Sequence, residues 1–195
     1  MENIRTCVFA NHNVLILGQA GTGKTELIKD YANKLRKQGK TVQITAPTGI
    51  AALNVNGITV HKFAGLLDGR FTDDELLTYV NTPDQIHIKE RIQKTDVLFI
   101  DEISMISAKL FFQMELLCRR VRHNDSPFGG IQIIGAGDFF QLKPVPSPLY
   151  GDAGTSLTEV PEAFAKVFPH HFVLKDVHRQ KQGNETIKFY YCISI

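Results

Sequence analysis

No run of the 195 residues approaches the length needed to cross a bilayer, and the opening MENIRTCVFANHN has neither a long apolar stretch nor an arginine-rich amphipathic pattern. The expectation is a soluble, intracellular chain with no membrane partner. Cysteine is scarce: Cys7, Cys118 and Cys192 are scattered, without C-x-x-C spacing and without a nearby histidine set. That pattern fits a reducing compartment and argues against a zinc site. Charge of one sign is also lacking, since 22 Lys and Arg against 20 Asp and Glu leave a net +2, so any nucleic-acid binding would rest on a local groove. Repeats and low-complexity segments are absent. At 43% hydrophobic and 22% charged residues the composition is that of an ordinary globule, long enough for one good core and short for two.

Against that plain background one stretch stands out. LILGQAGTGKTELI places Gly18, Gln19, Ala20, Gly21, Thr22, Gly23, Lys24 and Thr25 between a run of branched aliphatics and a helical pattern at Leu27, Ile28, Tyr31, Ala32 and Leu35. This is the G-x-x-x-x-G-K-T pattern of a P-loop in its required strand and helix context. Bare glycines let successive amides point inward at an anion, at the positive end of a helix. Lys24 would reach the outer phosphates of a nucleotide, and the Thr25 hydroxyl would ligate the accompanying magnesium. A nucleotide phosphate chain and Mg2+ are therefore the expected ligands.

Short aliphatic runs at 14–17, 41–45, 97–100, 131–135 and 172–174 lack alternation, as strands buried on both faces do. They predict an α/β fold, a mainly parallel sheet with helices on both faces. A helix is expected from Ser107 to His123, with Phe111 and Met114 on its core stripe and Arg119, Arg120, Arg122 and His123 facing water at its end. Segments 68–90 and 144–162, rich in Asp, Thr, Pro, Gly and Ser, read as surface connections. In VLFIDEIS, Asp101 and Glu102 follow a buried strand and would emerge at its carboxyl end, where the P-loop also opens. Asp101 is placed to hold the metal, Glu102 to orient and deprotonate an attacking water. After the strand IQIIGAGD, Gln141 stands where an amide could touch the terminal phosphate; Asp138 could equally just cap the turn.

In order, GQAGTGKT, APTGIAA, TVHKFAG, FIDEISMIS, PFGGIQIIGAGDFFQLKPV and VHRQ closely resemble the Pif (petite integration frequency) family of ATP-dependent DNA helicases, within superfamily one. The resemblance spans about residues 11 to 180. It implies ATP as the nucleotide and a RecA-like ATPase domain over 1–180, with 181–195 a truncated or divergent tail and the second RecA-like domain absent or supplied by another chain. It also implies movement along single-stranded DNA from the five-prime end, duplex unwinding at junctions, and roles in repair, recombination and telomere maintenance in nucleus or mitochondrion. By position, Gly18 to Thr25 would be motif I, Asp101 and Glu102 motif II, and Gly137, Asp138 and Gln141 motif III. Arg179 in VHRQ would reach the terminal phosphate. Two stretches would face DNA, Ala46 with Pro47, Thr48 and Gly49, then Thr59, His61, Lys62 and Phe63. Hydroxyls and a lysine suit phosphate oxygens there, and Phe63 or His61 could stack on a base. Phe63 and Ala64 could instead be core.

The pattern departs from the family at Lys143, where a proline is usual, and the family's adenine-reading glutamine would fall near Met1. The same residues would serve a non-catalytic ATP- or DNA-binding module. A small nucleotide kinase would need an arginine-rich lid, which does not occur.

Overall fold

The computed structural model describes residues 3–175 and 189–192. In chain order these form α1 (Ile4–Phe9), β1 (Val14–Gly18), α2 (Lys24–Lys37), β2 (Val42–Ala46), α3 (Gly49–Asn54), β3 (Ile58–Thr59), α4 (Val60–Ala64), α5 (Asp73–Val80) and α6 (Ile86–Lys94). There follow β4 (Val97–Ile100), α7 (Ala108–Arg122), β5 (Gln132–Gly137), α8 (Pro161–Val167), β6 (His170–Lys175) and β7 (Phe189–Cys192). The sheet order is β3-β2-β4-β5-β1-β6-β7, with β7 antiparallel to β6 and every other pairing parallel.

Alternation along the central strands divides two cores. Leu98 and Ile100 of β4, Ile133 of β5 and Leu15 of β1 face α4 to α8. Val97 and Phe99, Ile134, and Val14 and Ile16 face α1 and α2. Because both faces are covered, the strands carry continuous aliphatic runs, which is why the period-2 signal is absent from the sequence. Phe111 anchors the larger core, with its ring centroid 5.3 Å from Phe128 and 5.9 Å from Phe164, both edge-on. Glycines in β5 serve packing: a Cβ at Gly135 would come within 2.9 Å of Ile103, and one at Gly137 within 3.1 Å of Ile103 and the Ser104 nitrogen. The turn after β4 can therefore lie directly against the sheet.

Three expectations are corrected. Segment 68–90 is not mere connection, because Thr72 and Glu75 form a capping box that starts α5, which buries Leu76 and Val80; Ile88 of α6 is buried likewise. Segment 144–162 also holds short helical turns, at Pro148–Tyr150 and Leu157–Glu159. The cationic end of α7 is not uniformly solvated. Arg122 donates from Nε to the Gly129 carbonyl at 2.7 Å and from a terminal nitrogen to the carbonyls of Ile92, Gln93 and Thr95 at 3.1, 3.0 and 2.9 Å. It ties α6 and α7 to the entry of β5. Lastly, Cys7 does have histidines beside it, His12 and His170, which the fold brings from the two ends of the sequence.

Candidate nucleotide site

The loop between β1 and α2 curls because its backbone demands glycine. Gly21 and Gly23 sit in the left-handed region, at φ 80° and 84°. At Gly18 a Cβ would meet the Thr22 hydroxyl at 2.8 Å and the Leu174 carbonyl at 3.1 Å, so only hydrogen fits. Thr22 closes the curl by donating from its hydroxyl to the Gln19 carbonyl at 2.8 Å. Lys24, just inside α2, is buried, and its ammonium donates to the carbonyls of Gly18 at 2.6 Å and Gln19 at 3.0 Å. The cation is thus held in the cradle at the amino end of a 14-residue helix, where anions are favoured.

Thr25, one residue on, reaches across the end of β5 to the strand beyond it. Its hydroxyl donates to a carboxylate oxygen of Asp101 at 3.0 Å. The other Asp101 oxygen accepts from the Glu102 amide at 3.0 Å. Asp101 is 3% exposed, and burial pushes its pKa upward against the pull of Thr25, the Glu102 amide, Lys24 and Lys29. Glu102 is also shifted upward, first by burial, then by the charges of Asp101 and Asp138, with Lys24 opposing. Lys24 thus lies near enough to both carboxylates for its charge to act on each. Glu102 further holds φ 50° and ψ 39°, a left-handed conformation that costs a non-glycine residue about 1–2 kcal/mol.

Magnesium and a nucleotide phosphate chain fit these residues. The buried Asp101 carboxylate bears a charge that its surroundings disfavour, and the Thr25 hydroxyl beside it supplies a second hard oxygen ligand. Asp138 ends β5 and caps the next turn, accepting from the Phe140 amide at 3.1 Å, while its carbonyl accepts from the Gln141 amide at 3.1 Å. Gln141 is exposed on this turn. A hollow of about 750 Å³ opens between the loop residues Gly18 to Thr22, Asp138 and Leu174. Arg179 lies outside the described residues.

The two stretches expected to face DNA are brought side by side, since Thr45 pairs with Ile58 and Ala46 with Thr59. Thr48 and Thr59 cap their helices, accepting from the amides of Ala51 at 3.2 Å and Lys62 at 3.1 Å. Thr48, Gly49 and Lys62 are exposed, and Pro47, Thr59 and His61 are half-buried, with burial holding the His61 imidazole below its ordinary range despite Asp68. Two residues are corrected: Ala46, at the end of β2, is fully buried, and the Phe63 ring is wholly enclosed in the larger core and offers no stacking face. The apolar surface on this side belongs to Ile50 and Leu53 of α3, 77% and 76% exposed. The sequence reading passed over them; their i, i+3 spacing on a helix that buries little but Ala52 was the available signal.

The sequence profile of the PIF1-like helicase family matches residues 2–186. The ATP-dependent DNA helicase Pif1 of Psychrobacter is 46% identical over 136 residues, which is 69% of this chain and 20% of that protein. The crystal structure of the Candida albicans Pif1 helicase superposes with a TM-score of 0.77 at 35% identity, covering 90% of this chain and 39% of that one. A Bacteroides Pif1 helicase crystallised with ADP-AlF3 and single-stranded DNA superposes with a TM-score of 0.70 at 30% identity, over 93% of this chain and 43% of that one. The chain thus spans about a fifth of the first relative's length.

Proposed function

We propose, from the premise that the chain belongs to the PIF1-like helicase family, that it is an ATP-hydrolysing RecA-like domain that couples hydrolysis to movement along single-stranded DNA. One observation carries the proposal: the Thr25 hydroxyl lies 3.0 Å from the Asp101 carboxylate, with the Lys24 charge acting on both Asp101 and Glu102. A phosphate cradle and an acidic pair so placed would share one ligand.

Gly18 to Gly23 would bind the phosphates through backbone amides, and Lys24 would leave the carbonyls of Gly18 and Gln19 for the outer phosphates. Thr25 and Asp101 would hold magnesium, which when bound neutralises charge on the phosphate oxygens. Glu102 would orient a water and take its proton, a role that needs the carboxylate ionised and benefits from its raised pKa. Gln141, on the turn that Asp138 caps, would sense the terminal phosphate and relay its presence. Arg179 would reach the same phosphate, and a second RecA-like domain across the mouth would supply the remaining positive charge.

DNA would lie along Pro47, Thr48, Gly49, Thr59, His61 and Lys62, with Ile50 and Leu53 giving sequence-tolerant apolar contact to bases in place of Phe63. Relatives seen on single-stranded DNA and at forked duplex DNA support this side of the reading. A five-prime to three-prime motor of this kind would unwind duplex junctions in repair, recombination and telomere maintenance, in nucleus or mitochondrion.

The test is ATP hydrolysis with and without single-stranded DNA. Stimulation that disappears in Lys24→Ala supports the proposal. Nucleotide binding with no hydrolysis above the variant would leave a non-catalytic binding module.

A further inference from the structure

At the end of the sheet remote from the nucleotide mouth, three side chains with metal-binding atoms converge. The turn joining α1 to β1 folds back on the helix, with the His12 amide donating to the Cys7 carbonyl at 3.0 Å and Asn11 left-handed at φ 64°. β6 enters beside β1 with His170 opposite Val14, which sets the His12 and His170 rings parallel, centroids 4.7 Å apart and planes 9° from coplanar. One ligand atom each from Cys7, His12 and His170 then lies within 4.8 Å of the other two. Cys7 is buried, His170 half-buried and His12 exposed.

The surroundings hold this arrangement from both sides. Gln132 donates from one amide nitrogen to the carbonyls of Val8 and His12, each at 2.8 Å. Asn13 accepts from the Ile133 amide at 2.8 Å and donates to the Val167 carbonyl at 2.9 Å, pinning the turn to the segment that leads into His170. The backbones carrying all three groups are therefore fixed, and the exposed His12 ring is free to rotate out of the stack toward a common centre.

We propose that Cys7, His12 and His170 bind a zinc ion. One thiolate and two imidazoles are the donors a borderline-soft divalent ion takes, with Zn–S near ~2.3 Å and Zn–N near ~2.0 Å, and they are poor ligands for magnesium. Three protein ligands leave one position for water, which can enter from the adjoining hollow of about 290 Å³ lined by His12, Asn13, Lys166 and His170. On binding, the Cys7 S–H bond breaks as the S–Zn bond forms, the proton passes to solvent, and each imidazole contributes a neutral nitrogen lone pair. The ion would fasten α1 to the β1–β6 edge and stabilise the fold by mass action. The five residues of β1 separate this site from the P-loop by roughly 13 Å, so the two are independent in position as well as in donor chemistry.

The experiment uses the 195-residue chain, reduced and metal-free, with zinc and cobalt chlorides as probes. Expected are one zinc bound per chain in competition with a chromophoric chelator, a rise in Tm with zinc, and a thiolate-to-cobalt charge-transfer band. Cys7→Ser should remove the band, and His12→Ala, whose side chain is exposed and whose backbone contacts alanine preserves, should weaken zinc binding at least about tenfold. Nucleotide affinity should be unchanged in His12→Ala, showing that it is folded. Equal zinc binding by wild type and His12→Ala, or cobalt bound without a band that depends on Cys7, overturns the proposal.

Discussion

Replacing Glu102 with glutamine separates a catalytic carboxylate from a structural one, because the two roles move stability in opposite directions. The pKa of Glu102 is raised above its ordinary value by burial and by Asp101 and Asp138, so the folded protein holds this proton more tightly than the unfolded chain does. Its contribution to stability is then fully present below the unfolded value and is lost as pH rises through the folded one. At pH 7 the ionised carboxylate is a net cost, and the neutral amide removes it while leaving the left-handed backbone unchanged. Glu102→Gln should accordingly raise Tm at pH 7, with the difference vanishing below about pH 4, where glutamate is protonated in both states. Hydrolysis should fall about 10²–10⁴-fold, the usual worth of a positioned general base, or roughly 3–5 kcal/mol in the barrier. Asp101 is not expected to take over, since in the proposed site it is committed with Thr25 to the metal. Wild-type hydrolysis should rise with pH through a value above 4.5. The measurements are DNA-stimulated phosphate release and thermal melts at the two pH values. A variant that loses both activity and stability at pH 7 would refute the reasoning and make Glu102 a structural residue.

Arg122→Ala should destabilise the fold by about 2–4 kcal/mol, read as a lower urea midpoint, because four carbonyls lose a charged donor; Arg122→Lys should recover less than half, as an ammonium cannot span them. A shift below about 0.5 kcal/mol in Arg122→Ala would contradict the role given to this side chain. Binding to labelled single-stranded DNA should weaken steeply with salt, and Lys62→Ala should lower the slope of log K against log salt by about 0.7, one phosphate contact, in anisotropy titrations. An unchanged slope would remove Lys62 from the DNA path.

What the sequence made legible is what is contiguous. Gly18 to Thr25 states its own geometry, because each glycine answers to a left-handed φ or a close approach within the same loop. Aliphatic runs announce strands buried on both faces. The placement of Asp101 beside Thr25 followed from the rule that both emerge at the carboxyl ends of parallel strands. Phe63 was ambiguous for a physical reason: its fate depends on α5 and α6, whose burial of Leu76, Val80 and Ile88 is masked by the polar composition of segment 68–90. The capping box at Thr72 and Glu75 was a readable sign of α5 that the abundance of Asp and Thr overshadowed. Arg122 looked like a helix-end charge because its carbonyl partners come from α6 and from the entry to β5. The meeting of Cys7 and His12 with His170 has no sequence signature, since it requires β6 to pair with β1.

The central claim is that Lys24 and the Asp101–Glu102 pair grip one nucleoside triphosphate. Titrating ATP with magnesium into wild type and Lys24→Ala by calorimetry tests it most directly. Loss of the ammonium should weaken affinity at least about 100-fold, on the order of 3 kcal/mol, with an unaltered circular dichroism spectrum, as this side chain bonds only to the carbonyls of Gly18 and Gln19 among the described residues. Equal affinities for the two proteins would contradict the account.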